Sequence, residues 1–155
     1  AELRKRVDVP LAADESVRTA DDPLRIAGLE AADIVVLKVQ PLGGVRRSLE
    51  IAEACGLPVV VSSALETSVG MAAGIALAAA LPDLPYACGL GTVALLEKDL
   101  SADPLIPVGG VLPVRRAEPD PEQLDRARPS NERAADLLER VAAARRYLTL
   151  ERGAR

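Results

Sequence analysis

The chain has 155 residues, 49% of them hydrophobic, and a formal net charge of −4 from 19 Lys+Arg against 23 Asp+Glu. That is one domain's worth of sequence with enough apolar surface for a core, and the core must be aliphatic, because Phe and Trp are absent and the only rings are Tyr86 and Tyr147. The acidic balance and the scarcity of aromatics argue against a nucleic-acid partner, and the absence of His removes imidazole as base, nucleophile or metal ligand.

Residues 7–13 (VDVPLAA) alternate apolar side chains at Val7, Val9 and Leu11 and predict a first, buried strand. It ends in two adjacent carboxylates, Asp14 and Glu15. Residues 19–32 open with a Thr–Asp cap signal and carry Leu24, Ile26, Ala27 and Leu29, which predicts a short helix. Residues 33–39 (DIVVLKV) are a continuous apolar run with one lysine, Lys38, and predict a second strand. After QPLGG, the apolar positions Val45, Leu49, Ile51 and Ala52 predict a helix that stops at Gly56. Residues 57–63 (LPVVVSS) predict a third strand, residues 66–81 a helix rich in small residues, and residues 84–92 (LPYACGLGT) a weaker fourth strand. Beyond Gly109 the chain turns rich in Pro, Gly and charge, as in a loop or extended tail. An amphipathic helix follows, with Ala135, Leu138, Val141, Ala142 and Arg145 around its faces and basic residues gathered at its carboxyl end, as the helix dipole prefers.

The strands recur about every 25 residues and alternate with helices, the signature of a parallel sheet covered by helices. Such a unit fits a doubly wound sheet or a (β/α)8 barrel, and four units amount to about half of a barrel of roughly 250 residues. In both folds the chemistry sits at the carboxyl ends of the strands. That is where Asp14 and Lys38 fall, which explains why a strand made for a dry interior ends in a carboxylate. Cys55 and Cys88 lack metal-ligand spacing and read as small core residues in a reducing cytoplasm. The longest apolar run, residues 69–81, is too short to span a bilayer. No leader pattern opens the chain, so a cytoplasmic protein with no membrane partner is expected.

The motifs LAADES, VVLKVQPLGG and PVVVSSALETSVG, in this order and spacing, resemble the carboxyl half of the enolase superfamily. Within it the similarity is to the muconate-lactonising subgroup and its o-succinylbenzoate synthases, and it runs over about residues 7–116. The resemblance implies a carboxyl-terminal half, about four β/α units, of a (β/α)8 barrel over residues 1–116, with a proline- and charge-rich tail and helix over 117–155. It implies a small-molecule carboxylate substrate and a Mg2+ cofactor that stabilises an enediolate as a Lewis acid. Asp14 would be a metal ligand. Lys38 would be a catalytic lysine that holds the intermediate by its charge. Ser62 and Ser63 would line the substrate pocket, and Gly89 and Gly91 would close it. The activity implied is dehydration of a succinyl-hydroxycyclohexadiene carboxylate to o-succinylbenzoate in menaquinone biosynthesis. The chain begins at what would be the end of the fourth barrel helix, so the other metal carboxylates and the basic lysine of the second strand would lie outside it. The chain is then expected to be inactive alone, and to pair as a homodimer or with a complementing half-barrel.

Plainer readings of the same residues stand beside these. Asp14 is also compatible with a helix cap, and Lys38 with a simple salt bridge to Asp14. Glu15 reads as structural, paired to a neighbouring cation. Ser63 with Glu66 three residues later fits a capping box. PLGG lacks phosphate-loop spacing and reads as a turn. The alternatives in function are an N-succinylamino-acid racemase, dipeptide epimerase or cycloisomerase of the same subgroup, or a non-catalytic half-barrel.

Overall fold

The computed structural model of the chain describes the backbone of residues 1–153 and the side chains of residues 1–149. Residues 154 and 155, the end of the predicted tail, lie outside the described residues. The chain divides into two compact units, Ala1–Asp120 and Pro121–Arg155.

The first unit is built on three parallel strands, β1 (Ala12–Ala13), β2 (Ile34–Leu37) and β3 (Val59–Val61), in the spatial order β1-β2-β3. Strand order follows chain order without reversal. That favours a segment of a barrel over a doubly wound sheet, whose order reverses at a switch point. All four residues of β2 are buried, as expected of a strand covered on both faces. The partial barrel predicted from sequence is therefore present, with two corrections in its strands.

The first strand is far shorter than predicted. Val7 and Val9 are 39% and 61% exposed and join no ladder. Pro10 has no N–H to give, and pairing begins at Leu11, whose carbonyl accepts from the amides of Asp33 (2.8 Å) and Ile34 (3.1 Å). The fourth strand contracts to a single parallel bridge between Ser62 and Gly89. Two prolines and two glycines fall between residues 82 and 91, and both residue types weaken a ladder.

Helices α1 (Asp22–Gly28), α2 (Val39–Leu42), α3 (Val45–Cys55) and α4 (Ser68–Ala80) make the crossovers. The short α2 forms where only a turn was expected. It ends at Gly43, whose φ of 92° is easy only for glycine, so the turn predicted over PLGG is corrected at Pro41 and Leu42, which α2 takes in, and is kept at Gly43 and Gly44. Helix α3 buries Ser48, Ile51, Ala52 and Cys55, which share one helical face. It stops at Gly56 with φ 64°, where sequence placed its end. The predicted cap of α1 does not form: its N-cap residue, Asp21, makes no side-chain cap bond, and the Asp22 carboxylate instead closes the turn ahead of the helix by accepting from the amides of Arg18 (2.9 Å) and Thr19 (2.7 Å) and from the Thr19 hydroxyl (3.0 Å). Those amide bonds hold its pKa below the ordinary 3.8.

The core centres on Val35, Leu37, Val61, Leu77 and Leu105, all fully buried. Leu105 and Ala117 show that the segment after the fourth strand returns to the core before leaving it. The second unit holds α5 (Pro121–Arg126) and α6 (Asn131–Gly153). The long helix forms as predicted, but none of its residues 131–149 is buried, and Leu138 and Val141 are 69% and 58% exposed. Its apolar residues therefore do not make the buried face that an amphipathic pattern suggests.

Candidate active site

Parallel pairing puts the carboxyl ends of the strands side by side. Asp14 follows β1 directly, Lys38 follows β2, and Ser62 and Ser63 follow β3. Lys38 keeps extended backbone (φ −118°, ψ 122°) as the residue that caps α2. Its side chain is 17% exposed, and a cation so far out of water needs a partner. The ammonium forms an ion pair with the carboxylate of Asp14 and lies 3.7 Å from that of Glu15. Glu15 is in turn paired with Arg18, the structural role expected of it.

On the other side of β2, the Ser62 amide donates to the Leu37 carbonyl (2.9 Å). The Ser62 and Ser63 hydroxyls donate to the Gly89 carbonyl at 3.3 and 3.1 Å. A Cβ at Gly89 would lie 2.8 Å from the Ser62 hydroxyl oxygen, so any larger residue there would push that hydroxyl aside. Gly91 follows as the cap of a 3-10 turn, Thr92–Leu95. The predicted residues thus fall into two contacts, Asp14 with Lys38 and the serine pair with Gly89. Gly91 touches neither.

The capping box predicted for Ser63 and Glu66 does not form. Helix α4 begins at Ser68, and the Glu66 carboxylate turns back to accept the Ala64 amide (2.9 Å). The start of α4 is capped from far away: Asp99 accepts the Ser68 amide at 2.8 Å. Burial pushes the Asp99 pKa up, but the Ser68 hydroxyl and the amides of Ser68, Leu100 and Ser101 together outweigh it and hold the carboxyl below its ordinary value. Leu65, in the same loop, takes a left-handed φ of 65°, uncommon for any residue but glycine.

Two further residues tie this rim together. Gln40 donates to the Gly70 carbonyl in the first turn of α4 (3.2 Å), and Thr92 meets the Ser63 hydroxyl (2.8 Å). Gln40 stands inside a quoted motif and Thr92 ends the predicted fourth strand, but a neutral polar residue there carries no periodicity or charge signal that would single it out.

Asp14 and Glu15 are hard oxygen donors of the kind Mg2+ takes. Their number does not suffice: among the described residues, no three Asp, Glu, Cys or His side chains come together to hold a metal ion. Asp14 is also already paired with Lys38. The residues of this chain therefore do not by themselves fit a Mg2+ site. Among the described residues, no helix is long and apolar enough to cross a membrane.

A cleft of about 550 Å3 lies at the opposite end of β3, walled by Leu49, Ala52, Leu57, Val59 and Leu81. It holds none of the predicted site residues and sits away from the strand ends where barrel chemistry occurs. A second, of about 570 Å3, borders Gly89 and Gly91.

Residues 1–119 match the family described as enolase C-terminal domain-like. The chain is 69% identical over 124 residues to an o-succinylbenzoate synthase of Thermobifida fusca (strain YX), covering 80% of this chain and 39% of that protein. It is 54% identical over 143 residues to an o-succinylbenzoate synthase of Mycobacterium tuberculosis (strain ATCC 25618 / H37Rv), covering 92% and 44%. Among solved structures, a muconate lactonizing enzyme from Pseudomonas fluorescens complexed with muconolactone superposes with a TM-score of 0.74 at 29% identity, over 83% of this chain and 37% of that one. The muconate lactonizing enzyme from Pseudomonas putida gives 0.72 at 29%, over 81% and 37%. The chain thus spans 39% to 44% of the length of these two synthases.

Proposed function

The chain belongs to the enolase C-terminal domain-like family, and on that premise we propose that it forms the later strands of an o-succinylbenzoate synthase barrel. The observation that carries this reading is the 69% identity over 124 residues to a protein of that name. The reaction is a dehydration. A proton leaves the carbon next to a ring carboxylate, hydroxide leaves the neighbouring carbon as water, and the ring becomes aromatic.

In this reading Lys38 is the catalytic cation. Its ammonium stands at a strand end on a largely dry stem, where a fixed charge acts strongly on an oxyanion that develops in the transition state. Ser62 and Ser63 form the wall of the pocket against the substrate's succinyl arm, and Gly89 and Gly91 leave room beside them. Asp14 is assigned as one carboxylate of a Mg2+ site whose remaining ligands are not in this chain, and no step is routed through that ion here. Two free thiols, Cys55 and Cys88, suit a cytoplasmic setting.

The test is a fusion in which this chain replaces the matching carboxyl-terminal part of the Thermobifida fusca protein. Appearance of the aromatic product, followed by ultraviolet absorbance and proton NMR, is the expected outcome. A fusion that melts cooperatively yet never forms that product would overturn the reading. Racemisation of an N-succinylamino acid without dehydration would move it to the alternative within the subgroup.

A further inference from the structure

We propose that Thr92 is a positioning residue that acts through Ser63 to leave the Ser62 hydroxyl free for substrate. The inference rests on the proposed dehydratase reading and deepens it by dividing the two serines into different roles.

The argument is one of proton counting. A carbonyl oxygen only accepts, so the Ser63 hydroxyl, 3.1 Å from the Gly89 oxygen, must donate its single proton there. Its contact with Thr92 Oγ1 at 2.8 Å therefore runs the other way, with Thr92 donating into Ser63. Ser63 is 8% exposed and has no proton left to offer a ligand.

The Gly89 carbonyl also accepts the Ser63 amide at 3.1 Å. Those two bonds use both lone pairs of the oxygen. The Ser62 hydroxyl, at 3.3 Å, is the third and longest donor to the same atom, and its residue is half-buried. It is the donor most easily turned away to a carboxylate or carbonyl of the substrate. Thr92 thus locks Ser63 onto Gly89, and that lock releases Ser62.

Thr92→Val keeps the shape and removes the proton. In this 155-residue chain it should move the Gly89 and Gly91 amide resonances in a 1H–15N spectrum, and Thr92→Ser should leave them near the parent positions. In the fusion, Thr92→Val should raise KM about tenfold with kcat changed less than about threefold, and Thr92→Ser should restore KM. A Thr92→Val fusion with parental KM would overturn the proposal. So would a Thr92→Ser variant as impaired as Thr92→Val. If the parent fusion folds without dehydrating the substrate, the functional reading fails, and the amide spectra alone still decide whether Thr92 sets the Gly89 edge.

Discussion

The Lys38 ammonium is the counter-charge of the Asp14 carboxylate, an ion pair between the ends of two neighbouring strands and across 24 residues of sequence. The pair is half-exposed on its acidic side, where Asp14 keeps 44% of its side-chain surface, and largely dry on its basic side. Asp14 thus supplies the partner that a largely dry cation needs, and under the proposed function the same ammonium serves the chemistry at the strand ends.

Lys38→Ala in the fusion should lower kcat by about a hundredfold or more and leave the melting transition nearly in place. Lys38→Arg should fail as well, because a planar guanidinium cannot occupy the ammonium's point in space. Near-parental turnover with a melting temperature lowered by several degrees would make Lys38 a structural partner of Asp14 instead.

Gly89→Ala should displace the Ser62 hydroxyl, since the added carbon would sit 2.8 Å from it. The expected readout is a raised KM in the fusion together with a loss of about 1–3 kcal/mol in stability. Ser62→Gly in the same chain removes the clash and should recover most of the stability but not the KM, and a double-mutant cycle measures the coupling. Additive effects of the two changes would contradict the contact.

Asp99→Ala should cost about 0.5–2 kcal/mol, the usual loss when a helix N-terminus gives up its carboxylate or hydroxyl acceptor. Denaturant unfolding checks the size. Amide exchange should show the first turn of α4 opening faster, because its Ser68 amide is the group left unpaired. An unchanged first turn would remove Asp99 from the cap.

Asp33 joins the start of β2 to the preceding chain by accepting the Leu11 amide at 2.9 Å and the Arg4 guanidinium at 2.7 Å. The Leu11 bond lowers its pKa, burial opposes this, and Arg4 assists, leaving it below the ordinary 3.8. A carboxylate depressed in the folded state contributes stability that is fully present above its unfolded pKa and is lost as pH falls through the folded one. Asp33→Asn should therefore lower the melting temperature at neutral pH, and the gap from the parent should close as pH falls below about 4. A gap of constant size down to about pH 2 would show that charge is not what Asp33 contributes.

The 155-residue chain should associate in solution. Among the described residues, strand β1 pairs only with β2, which leaves one edge of the sheet open, and Leu95, Val108, Val111 and Val114 are each at least 69% exposed. Open parallel edges and apolar patches favour pairing with another chain. Light scattering is expected to give a dimer or larger species, and a sharp monomer peak with a cooperative melt would refute this.

The class of fold was legible from residues alone because it rests on local pattern. A short, β-branched apolar run such as Ile34–Leu37, recurring between helices, reads as a strand covered on both faces, and Gly56 marks a helix end because its left-handed backbone costs other residues more. The apolar runs over residues 7–13 and 33–39 likewise place Asp14 and Lys38 at strand ends. What sequence could not supply was anything that depends on pairing at long range. Val7 and Val9 alternate like a buried strand, yet neither joins a ladder. Ser63 and Glu66 have the spacing of a capping box, yet Ser63 bonds to Gly89 and Thr92, and the real cap, Asp99, lies 31 residues beyond Ser68. Strand and helix periodicity are properties of the chain within a few residues. Which hydroxyl spends its proton, and which carboxylate finds a helix end, is decided only when distant segments are packed close enough to compete for the same partners.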